Sequence, residues 1–238
     1  MGGSIETYLL EKVRVAAQSK GERNFHIFYQ LHNGLSDDEK ASLGLDLKPL
    51  SEHRLTNQSG CYTLTDADDG DEFNDLVGAM ETMDIGHDTR LQVWQAVAGV
   101  LHMGDFEFEA HKVPGADGGD GSRVAEGSRA SAASAAKLLG LTLEALEDAL
   151  TSKYINAAGE QYKVLFSPEQ ATSAADALAK DIYGKLFLWL AKKVNRRIRA
   201  DESQVASFIG VLDIFGFEHF EHNSFEQLCI NYANETLQ

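Results

Sequence analysis

Val211-Leu212-Asp213-Ile214-Phe215-Gly216-Phe217-Glu218 continues the apolar run of Phe208-Ile209-Gly210. A stretch with no polar alternation, Phe208 to Leu212, predicts a strand buried on both faces of a largely parallel sheet. The strand delivers an aspartate and then a glycine at its carboxyl end, where ligands bind in open α/β sheets. Phosphate-hydrolysing enzymes need such a D-x-x-G arrangement. The carboxylate helps hold Mg²⁺ through its waters, and a glycine N–H approaches a terminal phosphate with no Cβ in the way. An apolar strand that ends in Asp with a Gly soon after is also how many strands simply turn, so the neighbours have to decide. The complementary phosphate cradle, G-x-x-x-x-G-K-[ST], occurs nowhere in the sequence, so the residues themselves argue for half a site.

Downstream, Asn223-Ser224-Phe225-Glu226-Gln227 supplies an N-cap and a capping-box partner for a helix still running at Gln238. Upstream, Ser167-Pro168-Glu169-Gln170 combines an N-cap serine, a proline at the first helical position and a capping-box glutamine. The helix it opens places Leu178, Ile182, Leu186, Leu190, Val194 and Ile198 in one row. Phe187 and Trp189 widen that row, which predicts packing on more than one side. Arg196, Arg197 and Arg199 suit its carboxyl end, where cations meet the negative end of the dipole.

Ala157-Ala158-Gly159 between apolar residues of Tyr154 to Val164 predicts a projecting hairpin-like loop, and Leu138 to Leu150 is helical in pattern. Pro114 to Ser131 turns to Gly, Asp, Ser and Ala and reads as a flexible surface loop, not a domain boundary. Two amphipathic helices precede it, the second placing Leu91, Trp94, Val97 and Leu101 on one face. The acidic run Asp66 to Glu72 reads as a solvated loop. Phe25, Phe28, Tyr29 and His32 predict a short helix stopping near Asn33-Gly34, whereas Ile5 to Val15 fits neither period and leaves strand and helix both open.

At 238 residues with 43% hydrophobic side chains the chain can bury a core, and only three prolines argue against a disordered or collagen-like polymer. A net charge of −16 would repel a polyphosphate backbone, so nucleic acid is not an expected partner. No apolar run is long enough to span a bilayer, and the amino terminus carries Glu6 where a myristoylation signal wants Ser or Thr, so no membrane is expected either. Cys61 and Cys229 stand apart without metal or disulfide spacing, which suits the cytosol. His219 and His222, flanked by Glu218 and Glu221, lack a third obvious ligand and read as solvated side chains, not a metal site. No G-x-S-x-G elbow or cysteine–histidine neighbourhood supports a nucleophilic enzyme.

Asp213 to Glu218 followed by Asn223-Ser224-Phe225-Glu226-Gln227-Leu228-Cys229-Ile230-Asn231-Tyr232-Ala233-Asn234-Glu235 resembles the myosin heavy-chain motor, at its switch II and the start of its relay helix. Ile5 to Lys12, Glu22 to Leu31 and Asp176 to Lys180 look like further segments of that family in the same order. The resemblance implies an α/β fold that is part of a P-loop NTPase-type motor domain, covering residues 3–238. A strand after switch I would occupy 4–15, a mostly helical upper actin-binding subdomain 22–204, the switch II strand and loop of the central sheet 207–218, and the start of the relay helix 223–238. The phosphate-binding loop, switch I, converter and light-chain-binding neck would lie outside these residues.

Carried over residue by residue, the resemblance implies that Asp213 supports Mg²⁺ through water and Gly216 donates its N–H to the γ-phosphate of ATP. Glu218 would pair with a switch I arginine. With that arginine absent, Glu218 is expected to be a partly buried unpaired charge, at a cost of roughly 3–5 kcal/mol. The Tyr154 to Val164 loop looks like one that contacts F-actin, with Glu160 giving it a fixed negative charge. The expected parent is a cytoplasmic, cytoskeleton-associated motor coupling ATP hydrolysis to movement. These residues alone are expected to bind neither ATP nor Mg²⁺ and to be aggregation-prone. The alternative is a short actin-binding or regulatory protein without catalysis. A kinesin or small G protein shares the D-x-x-G logic but not the segment after it.

Overall fold

Helices dominate between residues 27 and 198 of the computed structural model, which describes residues 2–7, 10–112, 120–157, 159–201, 203, 205–219, 223 and 225–237. The first is α1 (Ile27–Gly34), which buries Phe28, Tyr29 and Leu31. Ser36 and Glu39 form a reciprocal capping box that starts α2 (Asp37–Leu43), and Gly44 ends it in the left-handed conformation at φ 69° that a side chain would resist. Asp68 caps α3 (Asp69–Thr82) by accepting from the N–H groups of Gly70 and Asp71. The central element is α4 (His87–Met103), with Trp94, Val97, Val100, Leu101 and Met103 all buried.

A hairpin follows, β1 (Phe108–Lys112) antiparallel to β2 (Asp120–Val124), with Phe108 opposite Val124. Next, α5 (Arg129–Leu138) buries Ala132, Ala135 and Ala136, and these small side chains let it lie close against α4. At that contact a Cβ on Gly99 would sit 3.0 Å from Leu139. Thr142 caps α6 (Leu143–Thr151), which runs directly into the antiparallel hairpin β3 (Ser152–Ala157) and β4 (Glu160–Leu165). Gly159 at φ 84° turns that hairpin. The long α7 (Pro168–Ile198) packs on α4 and α6, and Tyr183 stacks on Phe25 at 4.6 Å between ring centroids. Last comes α8 (Phe225–Leu237). No helix among the described residues is long and apolar enough to cross a membrane.

Several expectations change. Pro114 to Ser131 is not one loop: residues 113–119 lie outside the described residues, 120–124 form β2, and α5 has begun by Arg129. Its polar composition hid a strand that pairs along its length with β1 and places one apolar side chain, Val124, in the core. Leu138 to Leu150 is two helices, because Gly140 at φ 70° breaks the path and Thr142 starts a new one. The acidic run is not all solvated. Asp69 is buried, and both of its carboxylate oxygens accept from Nη2 of buried Arg23, at 2.8 and 3.0 Å, while that guanidinium lies 3.8 Å over the Tyr29 ring.

Burial of α7 is also narrower than its apolar row suggests. Its buried positions are Ala171, Ala175, Ala179 and Gly184, while Leu188 and Trp189 are 44% and 36% exposed. The strand expected over 4–15 is absent among the described residues. Lys12–Val15 is a 3₁₀ turn, and the segment before it is tied to the end of α7 by Gly3 N–H to Ile198 O and a two-way bond between Ile5 and the Asn195 amide. Tyr8 and Leu9 lie outside the described residues.

The described strands form two antiparallel hairpins only, so the central-sheet strands anticipated at 4–15 and 207–218 have no ladder partner here. What stands is a mixed helix-and-strand fold with helices in the majority.

Candidate functional site

The apolar run that predicts a doubly buried strand is exposed and belongs to no strand among the described residues. Phe208, Ile209 and Val211 are each at least 90% accessible, and Leu212, Phe215 and Phe217 at least 49%. A strand of this composition is stable only between neighbours that satisfy its N–H and C=O groups and cover its side chains. No such neighbour is present among the described residues. Its chemistry-bearing groups are therefore open. Asp213 is exposed and makes no hydrogen bond or ion pair among the described residues, and a Cβ built on Gly216 would meet nothing within 4 Å. An anion could approach the Gly216 N–H freely, with the acceptor-only Asp213 carboxylate three residues upstream able to hold the water shell of a cation. No group of three or more His, Cys, Asp or Glu that could hold a metal occurs among the described residues. His222 and Glu221 lie outside them.

At Glu218 the segment stops being free. The Asn231 side chain, on α8, makes two bonds to the Glu218 main chain. Its Oδ1 accepts from Glu218 N–H at 2.7 Å, and its Nδ2 donates to Glu218 O at 2.7 Å. The amide thus completes a bridge of the kind a neighbouring strand would supply. The Glu218 carboxylate accepts from Gln227 Nε2 at 3.4 Å, and the residue is half-buried. Glu218 is thus partly buried with no cation paired to it among the described residues, and its remaining exposure and the neutral Gln227 donor offset part of the cost of that charge. Gln227 and Ile230 are the buried side of α8. The capping segment expected at Asn223 to Gln227 is described only in part, since Ser224 lies outside the described residues.

Glu160 sits elsewhere, at the first position of β4 opposite Ala157. It accepts a 2.6 Å hydrogen bond from Tyr162 Oη, which raises the phenol's pKa. Tyr154, Ile155 and Tyr162 make the hairpin surface aromatic and exposed. Lys163 steadies its base by pairing with Asp148 of α6 while lying 5.8 Å over the Tyr154 ring. Asp213, Gly216 and Glu218 are thus contiguous and linked to α8, whereas Glu160 belongs to a second surface.

Sequence reasoning missed Asn231, which it quoted without a role. It also missed a hub on Asp105, whose carboxylate accepts from His53 Nδ1 at 2.7 Å, Arg54 N–H at 3.0 Å and Lys48 Nζ at 3.4 Å. Arg54 continues the chain of contacts to Asp176 on α7. No local pattern could have revealed pairings that join residues 51 to 122 positions apart.

The family model described as Myosin head (motor domain) matches residues 1–238. The chain is similar to the Myosin-2 heavy chain, non muscle, of Acanthamoeba castellanii, at 42% identity over 238 residues, covering 100% of this chain and 15% of that protein. It is likewise similar to Myosin heavy chain IB of the same organism, at 42% identity over 100% of this chain and 20% of the relative. Myosin-VIIa of Drosophila melanogaster matches at 39%, over 100% of this chain and 11% of its own length. The chain therefore spans about a fifth or less of each of these curated relatives.

Proposed function

The chain belongs to the myosin head (motor domain) family, and on that premise we propose that it supplies the phosphate-sensing segment and part of the actin-binding surface of an actin-based motor that couples ATP hydrolysis to movement. In this reading the fold is part of a P-loop NTPase-type motor domain. Residues 207–218 are switch II, and α8 is the start of the relay helix. Asp213 supports Mg²⁺ through water, the Gly216 N–H donates to the γ-phosphate, and Glu218 pairs with an arginine of switch I. The hairpin β3–β4, with Glu160, faces F-actin. Because no G-x-x-x-x-G-K-[ST] occurs in the 238 residues, the phosphate cradle comes from other polypeptide, as do the light-chain contacts of a neck. Such a motor works in the cytoplasm on the cytoskeleton.

The observation that carries this reading is the two-way bond between Asn231 and the Glu218 main chain. It makes the segment that ends in Glu218 and the helix α8 one mechanical unit. A displacement of Gly216 toward a phosphate is then passed to α8 instead of being absorbed by loose backbone. The test is Gly216→Ala in a polypeptide that also carries the phosphate-binding loop. A methyl there blocks the approach of the γ-phosphate, and MgATP turnover should fall at least about a hundredfold, the scale of one lost preorganised donor. Turnover within twofold of the parent would sink the assignment.

The exposed aromatic surface of β3–β4 favours a second reading, an actin-binding or regulatory protein without catalysis. Cosedimentation of this chain with F-actin, abolished by replacing Tyr154 and Tyr162 with serine, would support it.

A further inference from the structure

One surface of α7 is used by neither reading. Lys185, Leu188, Trp189, Lys192 and Arg196 recur at spacings of three and four, so they lie on one side of the helix, and all five are exposed. Arg199 at the C-cap extends that side. Lys185 pairs with Asp181 of the same face, whereas Lys192 and Arg196 have no ion pair among the described residues. Lys193, beside them, stands 5.9 Å over the Trp189 ring. Two large apolar side chains framed by cations contrast with a chain whose net charge is −16. Tryptophan and leucine left exposed one turn before the unpaired cations Lys192 and Arg196 are more than a solvated face requires, since a solvated face gains nothing from their exposure.

We propose that this face of α7 is a docking surface for an acidic polypeptide segment that carries an apolar side chain within its acidic run. The charge pattern selects the chemistry. Lys192 and Arg196 take carboxylates, and Leu188 with Trp189, one turn before them, takes the apolar side chain. The shape selects a polypeptide over an anionic bilayer. The stripe is one helix wide, about 10 Å, and about 21 Å long from Lys185 to Arg199. Acidic groups begin immediately beside it, with Asp84 bound to Arg197 on the flank at 2.8 Å. A plane of negative charge would meet that acidic surround within a Debye length of about 8 Å, while a single extended or helical segment meets only the cations.

The experiment measures fluorescence anisotropy at low ionic strength with a labelled peptide of glutamates around a central phenylalanine. The wild-type protein should bind it, and binding should weaken steeply as salt is added. Lys192→Glu with Arg196→Glu should lower affinity at least about tenfold, and Trp189→Ala should weaken binding while preserving the salt dependence. The surface pair Lys20→Glu with Lys137→Glu changes net charge equally at a distance and should alter affinity less than about twofold. These positions are exposed, so retained helical circular dichroism separates lost docking from lost fold. Equal losses from both charge-reversal pairs would reduce the effect to net charge and overturn the proposal. It also falls if the all-glutamine peptide binds as tightly, or if vesicles containing phosphatidylserine bind the protein and displace the peptide.

Discussion

Replacing Asp69 with alanine tests how the interior is held. The change strands the Arg23 guanidinium, whose side chain is 3% exposed and whose Nε and Nη1 already lack partners among the described residues. Removing one member of a buried pair leaves an uncompensated charge and costs about 3–5 kcal/mol. The loss of an acidic residue from the first turn of α3 adds about 0.3–1 kcal/mol, and an Asp71→Ala control measures that part separately. For a chain of this size each kcal/mol shifts Tm by about 2–4 °C, so the two costs together should lower the Tm of Asp69→Ala by about 7–24 °C. Asp69→Asn keeps an acceptor for Nη2 and should fall between wild type and Asp69→Ala. Arg23→Met combined with Asp69→Leu removes both charges and should recover most of the loss, because apolar replacements of a buried pair are often neutral. Urea titration and thermal melts followed by circular dichroism read all four proteins. A cost below about 1 kcal/mol for Asp69→Ala, or a double variant no better than the single one, would refute the account of Arg23 and Asp69 as a coupled interior pair.

Burial lowers the pKa of His102 from its ordinary 6.5 despite the hydrogen bond of Nε2 to Leu43 O at 2.8 Å. The unfolded chain therefore takes up the proton first, so stability should decline as pH falls below about 6.5, and His102→Gln should flatten that slope in melts recorded across pH. Burial pushes the Asp105 carboxyl upward, but the hydrogen bond from His53 and the Arg54 amide bring it below its ordinary 3.8, so a further loss is expected only in stronger acid. Ser167→Ala removes the acceptor for Gln170 N–H at the start of α7 and should cost about 1 kcal/mol by urea midpoint. Gly34→Ala drives a methyl into the Phe73 side chain and should cost about 1–3 kcal/mol by the same measure, whereas Gly127→Ala meets nothing within 4 Å and should be near neutral.

The parts legible in the sequence were those whose signal is local. Ser167-Pro168-Gln170 fixed the start of α7, Ala157-Ala158-Gly159 announced the β3–β4 turn, and Trp94, Val97 and Leu101 marked the buried side of α4. Illegible parts depend on what lies far away in the chain. Arg23 and Asp69 are 46 positions apart, and nothing near either residue distinguishes a buried ion pair from two solvated charges. The β2 strand reads as loop because four of its five residues are polar or glycine and its pairing with β1 is set by the fold, and Phe208 to Leu212 reads as a buried strand because its composition anticipates partners these residues do not contain. In the candidate site, Asp213, Gly216 and Glu218 are legible as residue types in a pattern. The bridge from Asn231 that ties them to α8 is a matter of side-chain geometry, which a pattern cannot express.

The most direct test of the phosphate-sensing account replaces Asn231 with alanine in a polypeptide that also carries the phosphate-binding loop, and measures ATP affinity beside the speed of actin filament gliding. Loss of the two bonds to the Glu218 main chain should leave ATP affinity within about twofold and slow gliding at least tenfold, since removing a positioning contact costs motion and not binding. Gliding at the parent speed with Asn231→Ala would contradict the claim that this bridge carries the signal from Gly216 to α8.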